Sequence, residues 1–379
     1  MNAADPGGPL RILIDARFYR RATGGVGRYT RGLIAGLQAV GSEHDFTVLL
    51  RPADAAEWPQ PTPPGWHTVV WDLPHYSLAE QTRLPAWLAR ERFNLVHFTM
   101  FNHPLAWRGR FVVTIHDLTM TLCPPHPPWH PRSLAYHGVM AHAARAARGV
   151  IVPSESTRRD AERLLGVPPE RLTVTPEAAD AVFRLVDDPA RQTALRQRYG
   201  LGQRFIVSVN AWRPHKGLED LVTAFESLAG DGLQLLLAGE PNPAYPAVAT
   251  AVRATQARCP AILTPGFVAD EDLVHLYAMA QAAVFASHYE GFGLGPLEAL
   301  ACGCPTLAAD NSSLPEVVGE AGALYPSGDP AALAAGLAEL LASPQRLAQM
   351  KLAGPQRAGQ FSFERMARQT LAVYAAALA

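Results

Sequence analysis

Residues 284 to 318 read VFASHYEGFGLGPLEALACGCPTLAADNSSLPEVV. Two carboxylates, Glu290 and Glu298, bracket a glycine-rich turn, Gly291-Phe292-Gly293-Leu294-Gly295. Pro296 then suits the opening of a helix, where its missing N–H has no partner to lose. A helix start leaves its first N–H groups unpaired and carries about half a positive charge. Glycines let the backbone come close enough to offer those groups to an anion. The flanking carboxylates would repel a phosphate pressed against them, yet they accept readily from hydroxyls on either side of one. Hydroxyls, phosphates and hydroxyls in series are the layout of a nucleotide sugar. A glycine turn before a helix is also common in α/β proteins without any ligand, so the turn by itself leaves both readings open.

Other residues could share that chemistry. Arg213 and Lys216 stand three apart in Asn210-Ala-Trp-Arg-Pro-His-Lys-Gly-Leu218, directly after the strand-like run 204–209. Arginine offers a planar fork to phosphate oxygens and lysine a compact point charge. A basic pair on a loop is often merely solvated, but Lys216 is one of only two lysines, with Lys351, among 33 basic residues. Gly24-Gly25-Val-Gly27-Arg28-Tyr29 follows the strand-like run 10–15 and leads into an apolar-periodic helix. It contains no G-x-G-x-x-G, so a nicotinamide site is not indicated. Arg28 and Thr30 read as residues of that helix's surface. His116-Asp117 follows another strand-like run, 111–115. A neutral imidazole there could bond a sugar hydroxyl or stabilise positive charge at an anomeric carbon, and a structural histidine is the alternative. The proline-dense segment Pro124–Pro131, with Tyr19, Tyr76 and His103, reads either as an acceptor wall or as packing. Cys302 and Cys304 lack a second pair, so zinc is not expected.

These motifs need an α/β frame. Strand-like runs at 46–50, 68–71, 95–98, 111–115, 150–152 and 172–174 alternate with helical patterns such as 78–90 and 134–147, which implies a mostly parallel sheet covered by helices. Ser154 is placed to cap a helix ending near Gly166. At 379 residues with 48% apolar composition, two domains are expected. The divisions read as 1–183, 184–360 and a terminal helix, 361–379. A net charge of −1 gives no electrostatic case for nucleic acid. The start, MNAADPGGPLR, has no signal-peptide pattern, and no apolar run reaches the ~18 residues of a spanning helix.

The extended pattern is more specific than any single motif. Glu290-Gly-Phe-Gly-Leu, Glu298, Gly303-x-Pro305 and Ser313-Leu-Pro-Glu316-Val-Val-Gly319 together closely resemble the donor-site signature of retaining glycosyltransferase family 4. Gly295 departs from it, since relatives often carry proline there. Thr114-x-His116-Asp117 resembles the family segment whose histidine faces the transferred sugar. The resemblance implies a GT-B fold, two Rossmann-like α/β domains facing across a cleft, with the terminal helix crossing back to the first. It implies a hexosyltransferase acting with retention on a nucleoside diphosphate sugar and a glycan, lipid-linked or small-molecule acceptor. His116, Glu290, Arg213 and Lys216 would then be catalytic. Gly24, Gly25, Gly266, Val268, Gly291, Phe292, Gly293, Leu294 and Glu298 would bind the donor, Gly266–Val268 reading the nucleobase. The cationic work can fall to Arg213, Lys216 and the helix start, so no metal or other cofactor is expected. The Ile14-Asp-Ala-Arg17 opening and Arg213-Pro-His-Lys216 look most like mannosyl- and rhamnosyl-type polysaccharide enzymes, which favours GDP-mannose. A glucan synthase using UDP- or ADP-glucose and a catalytically silent nucleotide-sugar-binding protein are the alternatives. The expected location is the cytoplasm, with peripheral association at the inner membrane face left open.

Overall fold

The computed structural model describes residues 9–20, 24–59 and 61–379. Arg21, Ala22 and Thr23, part of the first glycine loop, lie outside the described residues. The chain divides into two units, one ending at Glu177 and resuming at Ser362–Ala379, the other spanning Ala178–Phe361. The first break falls six residues before the expected one.

The first unit is built on a seven-stranded sheet: β1 Arg11–Asp15, β2 Asp45–Leu50, β3 Trp66–Val70, β4 Leu95–Phe98, β5 Phe111–Thr114, β6 Gly149–Val152 and β7 Leu172–Val174. Their spatial order is β3-β2-β1-β4-β5-β6-β7, and every pairing is parallel. The second unit repeats the plan with β8 Arg204–Val209, β9 Leu233–Ala238, β10 Ile262–Gly266, β11 Ala282–Phe285, β12 Thr306–Ala309 and β13 Ala323–Tyr325. There the order is β10-β9-β8-β11-β12-β13, again all parallel. Central strands such as β4, β6, β11 and β12 are buried along their whole length. Helices therefore cover both sheet faces, which is why these strands read as unbroken apolar runs.

Each sheet reverses its winding once, between β1 and β4 and between β8 and β11. Ligands of such sheets collect beyond the carboxyl ends of the strands at that reversal. In the second unit β8 runs into Arg213 and Lys216, while β11 runs into Glu290 and the glycine turn. The two charged motifs thus leave adjacent strands, although about 75 residues of sequence lie between them.

The helices follow their capping signals. Ser154 accepts from the Thr157 N–H at 3.0 Å, and the helix Glu155–Leu165 closes at Gly166 in left-handed geometry. Asp329 caps Pro330–Leu341 through the N–H groups of Ala331 and Ala332. The expected helix at 134–147 instead runs Pro131–Ala146, because Pro131 takes its first position and the His130 ring accepts from the Arg132 N–H. A short helix, Thr119–Leu122, was not foreseen. The terminal helix Phe363–Leu378 packs into the first unit, with Met366, Ala367, Thr370, Val373, Tyr374 and Ala377 buried on one face. Burying a side chain the size of Met366 or Val373 contributes about 1.5–3 kcal/mol. Gly32 and Gly36 make room for it. A Cβ at Gly36 would lie 2.2 Å from the Phe363 carbonyl oxygen. Thr30 is not a surface residue: it is buried, its hydroxyl donating to the Val26 carbonyl.

Candidate functional site

The loop after β8 and the loop after β11 are joined directly. The His288 N–H donates to the His215 carbonyl at 2.7 Å. Gly217, at φ +61°, permits that approach, since a Cβ there would sit 2.0 Å from the Ala286 carbonyl oxygen. The consequence is an ion pair: Lys216 Nζ lies 2.6 Å from Glu290 Oε1, and both side chains keep some exposure, 19% and 17%. Ser287 Oγ donates to the same carboxylate oxygen at 2.7 Å. Burial works to raise the Glu290 pKa, but the charge and hydrogen bond of Lys216, then Ser287 and His215, hold it below the ordinary glutamate range. Arg213 is exposed at the mouth of the same loop.

A third loop, after β12, fixes the glycine turn. The Glu290 N–H donates to Ser312 Oγ at 2.9 Å. Ser313 Oγ lies 2.9 Å from the Glu290 carbonyl oxygen and 2.6 Å from that of Phe292. Asn311 Nδ2 donates to the Ser287 carbonyl at 2.9 Å and also bonds Ser327 Oγ. Ser312 holds φ at +45°, an uncommon conformation for a residue other than glycine. Sequence reasoning quoted Ser313 only as part of the signature, and it missed Ser287, Asn311 and Ser312. The run Asp310-Asn-Ser-Ser313 immediately after an apolar strand was the available signal.

The helix opens at Leu294 rather than at Pro296, with Gly293 before it at φ +112°. Pro296 is its third residue, still within the turn whose N–H groups have no helical acceptor. Gly295 packs edge-close to Phe285, since a Cβ there would lie 2.7 Å from the ring. Phe292 is buried in a small apolar cluster with Leu297, Leu300 and Val317, and half-buried Leu294 packs against it. Glu298 is buried, 4% exposed, inside the helix. Gly266 ends β10 at φ +82°, and its carbonyl accepts from the Gly239 N–H at 2.8 Å. Val268 turns into the core while Phe267 between them is exposed. A cavity of about 470 Å³ lies along β10, walled by Arg198, Tyr199, Gln256, Thr264 and Phe267 and not by Lys216 or Glu290. Cys302 and Cys304 are free buried thiols whose pKa burial pushes up, that of Cys304 to about 12.

In the first unit Gly24 caps the helix Gly25–Val40 at φ +70° with open space where a side chain would stand. Behind it, Arg17 bridges Asp15 at 2.6 Å and Glu80 at 2.7 Å, all three buried. Glu80 also accepts from the Tyr76 N–H and from Asn102, which fixes the loop before the helix Leu78–Glu91. His116 stands beyond β5 but does not offer its ring nitrogens outward. Nε2 is 2.8 Å from the Thr99 carbonyl oxygen and Nδ1 is 3.4 Å from Glu177 Oε1. Both ring nitrogens thus have protein partners, while the expected role of this ring facing a sugar rests on the resemblance alone. Burial lowers the His116 pKa, yet the hydrogen bond and charge of Glu177, with Thr99 and Asp117, hold it above the ordinary histidine range. Of the expected wall, Tyr76 and Trp129 are exposed, but Tyr19 packs against Trp58, and His103 is fully buried and bonded to His142 at 2.8 Å.

Family models match both halves. The one described as Glycosyl transferases group 1 covers residues 192–357, and Glycosyltransferase Family 4 covers residues 23–182. The chain is 30% identical over 279 residues to O-antigen chain mannosyltransferase B of Escherichia coli, covering 70% of each. It is 31% identical over 185 residues to the serotype-specific mannosyltransferase WbdA of Escherichia coli, 47% of this chain but only 23% of that much longer protein. In three dimensions it is similar to sucrose-phosphate synthase from Thermosynechococcus elongatus, with a TM-score of 0.76 at 22% identity, covering 97% of this chain and 98% of the other. Two parallel α/β units and these matches agree: the chain belongs to the group 1 glycosyltransferases and has the GT-B fold.

Proposed function

We propose that this protein is a retaining hexosyltransferase that moves mannose from GDP-mannose to a hydroxyl of a glycan, lipid-linked or small-molecule acceptor. The observation that carries the reading is the Lys216–Glu290 pair beside Arg213 and the start of the helix Leu294–Ala301. It joins a lysine and a carboxylate on neighbouring loops, with exposed Arg213 in the first and a helix start in the second. The mannosyltransferases among the similar proteins favour mannose over glucose.

As the glycosidic bond breaks, the diphosphate gathers negative charge. Lys216 exchanges part of its contact with Glu290 for a phosphate oxygen, Arg213 folds onto the other phosphate, and the helix start receives the remaining charge. Donors fixed in advance stabilise that charge more than water does, each by about 3 kcal/mol. Glu290, held ionised, accepts from sugar hydroxyls, and Glu298 accepts from the ribose. Glu290 is pinned by Lys216 and Ser287, which suits a holding role better than nucleophilic attack. The acceptor then attacks from the face the leaving group departs, its proton passing to a donor phosphate oxygen. Two side-chain cations make the reaction metal-independent in this reading. With a lipid-linked acceptor the enzyme would act at the cytoplasmic membrane face as a peripheral protein; among the described residues no helix is long and apolar enough to cross a membrane.

The test is a thermal-shift screen of nucleoside diphosphates and their sugars, followed by product analysis. A ligand at 100 times its Kd stabilises by about 2.7 kcal/mol. GDP and GDP-mannose should raise Tm most, with α-mannoside formed in the presence of EDTA. Preference for UDP- or ADP-glucose would redirect the donor assignment to glucan synthesis. Binding without transfer or hydrolysis would indicate a silent sensor.

A further inference from the structure

His116 links three carboxyl-end loops of the first sheet. Thr99 follows β4, His116 follows β5, and Glu177 lies beyond β7, two strands further along. The Thr99 main-chain oxygen can only accept, so Nε2 must carry a proton. Where the Glu177 carboxylate is ionised it too can only accept, and the 3.4 Å contact to Nδ1 then takes a proton on that nitrogen as well. The ring and the carboxylate are both shielded, their side chains 13% and 6% exposed. Buried charges of this kind persist when they are paired. We propose that Glu177 is a positioning residue of the glycosyltransferase, holding the His116 ring as a doubly hydrogen-bonded cation so that the loop Ile115–Leu118 keeps one conformation. Glu177 is also the residue at which the first unit ends, so the same contact anchors the chain at its exit. The importance of the loop to turnover rests on the function proposed above; the charge state of the pair does not.

The surroundings favour a single cation here. His97 on β4 is bonded at both nitrogens, to Tyr374 Oη at 2.7 Å and Thr114 Oγ1 at 2.9 Å. Burial, with His116 adding to it, pushes its pKa down to about 3, so it stays neutral. Tyr29, on the helix Gly25–Val40, meets the His116 ring edge-on at 4.6 Å between centroids and bonds Thr114 at 2.8 Å. Burial raises its pKa, leaving it neutral too. Asp117 contributes negative charge from the same loop. Asp15, on β1, acts on His97 and is itself paired with Arg17.

The experiment uses the full chain with isotope-labelled histidine, its His116 resonances assigned by their loss in His116→Gln. In the unaltered protein at neutral pH, both His116 nitrogens should show protonated shifts; one unprotonated nitrogen would overturn the proposal without any variant. In Glu177→Gln the His116 titration midpoint should fall. The kcat for hydrolysis of GDP-mannose without acceptor should drop about tenfold, with KM within about twofold, as expected of lost alignment rather than lost binding. The alkaline limb of the kcat profile should move down in pH with the His116 midpoint, and Glu177→Asp should restore part of both. An unchanged midpoint, or an unchanged kcat and pH profile, would refute the positioning role. If GDP-mannose neither bound nor reacted, the donor assignment would fail while the resonance data still decided the state of the pair.

Discussion

Charge is placed differently at the carboxyl edges of the two sheets. In the second unit it stays within reach of solvent: Lys216 and Glu290 are 19% and 17% exposed and Arg213 stands open. In the first unit the groups beyond β1 and β5 are shut away, in the Asp15–Arg17–Glu80 triad and the His116–Glu177 pair, while Arg51 and Asp72 beyond β2 and β3 keep contact with solvent. A reachable ion pair can trade partners with an incoming phosphate at little cost, because water already shares its solvation. A sealed one cannot, since any loss leaves an uncompensated charge in low dielectric. In the function proposed above the reachable charges of the second unit serve a ligand, and the sealed ones of the first unit hold loops in shape.

The sharpest way to break that contrast is Lys216→Ala. Transfer should fall about 10²–10³-fold with Tm nearly unchanged; a large Tm loss and preserved turnover would make Lys216 structural instead. Glu80→Ala should do the reverse. It removes one of the two carboxylates on buried Arg17 and should cost about 3 kcal/mol of stability, read by denaturant unfolding, while GDP binding to the second unit persists. Arg213→Ala should weaken GDP binding about tenfold, the scale of one charged hydrogen bond, by calorimetry and with no stability change.

The smallest effects are those of pH, and their signs are opposite. Glu290 has a lowered pKa, so its pair with Lys216 contributes above the ordinary glutamate range and is lost as pH falls through the lowered value. His116 has a raised pKa, so its pair with Glu177 contributes below the ordinary histidine range and is lost as pH rises through the raised value. Amide exchange followed against pH should show the loop after β11 loosening on the acid side and the loop after β5 on the alkaline side. If both loops loosened in the same direction, the assignment of at least one pair would be wrong.

Much of the frame was legible before any coordinates. Periodic patterns give elements because a buried parallel strand must be apolar on both faces, so β4, β7 and β8 were read with the bounds they have. The candidate donor loops were named from the likeness of their glycines, Glu290 and Lys216 to a family signature. Partners were not. That Lys216 bonds Glu290, that Ser312 and Ser313 lock the glycine turn, and that His116 spends both nitrogens on Thr99 and Glu177 depends on which strands lie side by side. Sequence thus determined what each strand end carries. Only the packing of strands far apart in the chain decided which of those groups meet, because hydrogen bonds and ion pairs act over a few ångströms and carry no memory of sequence distance.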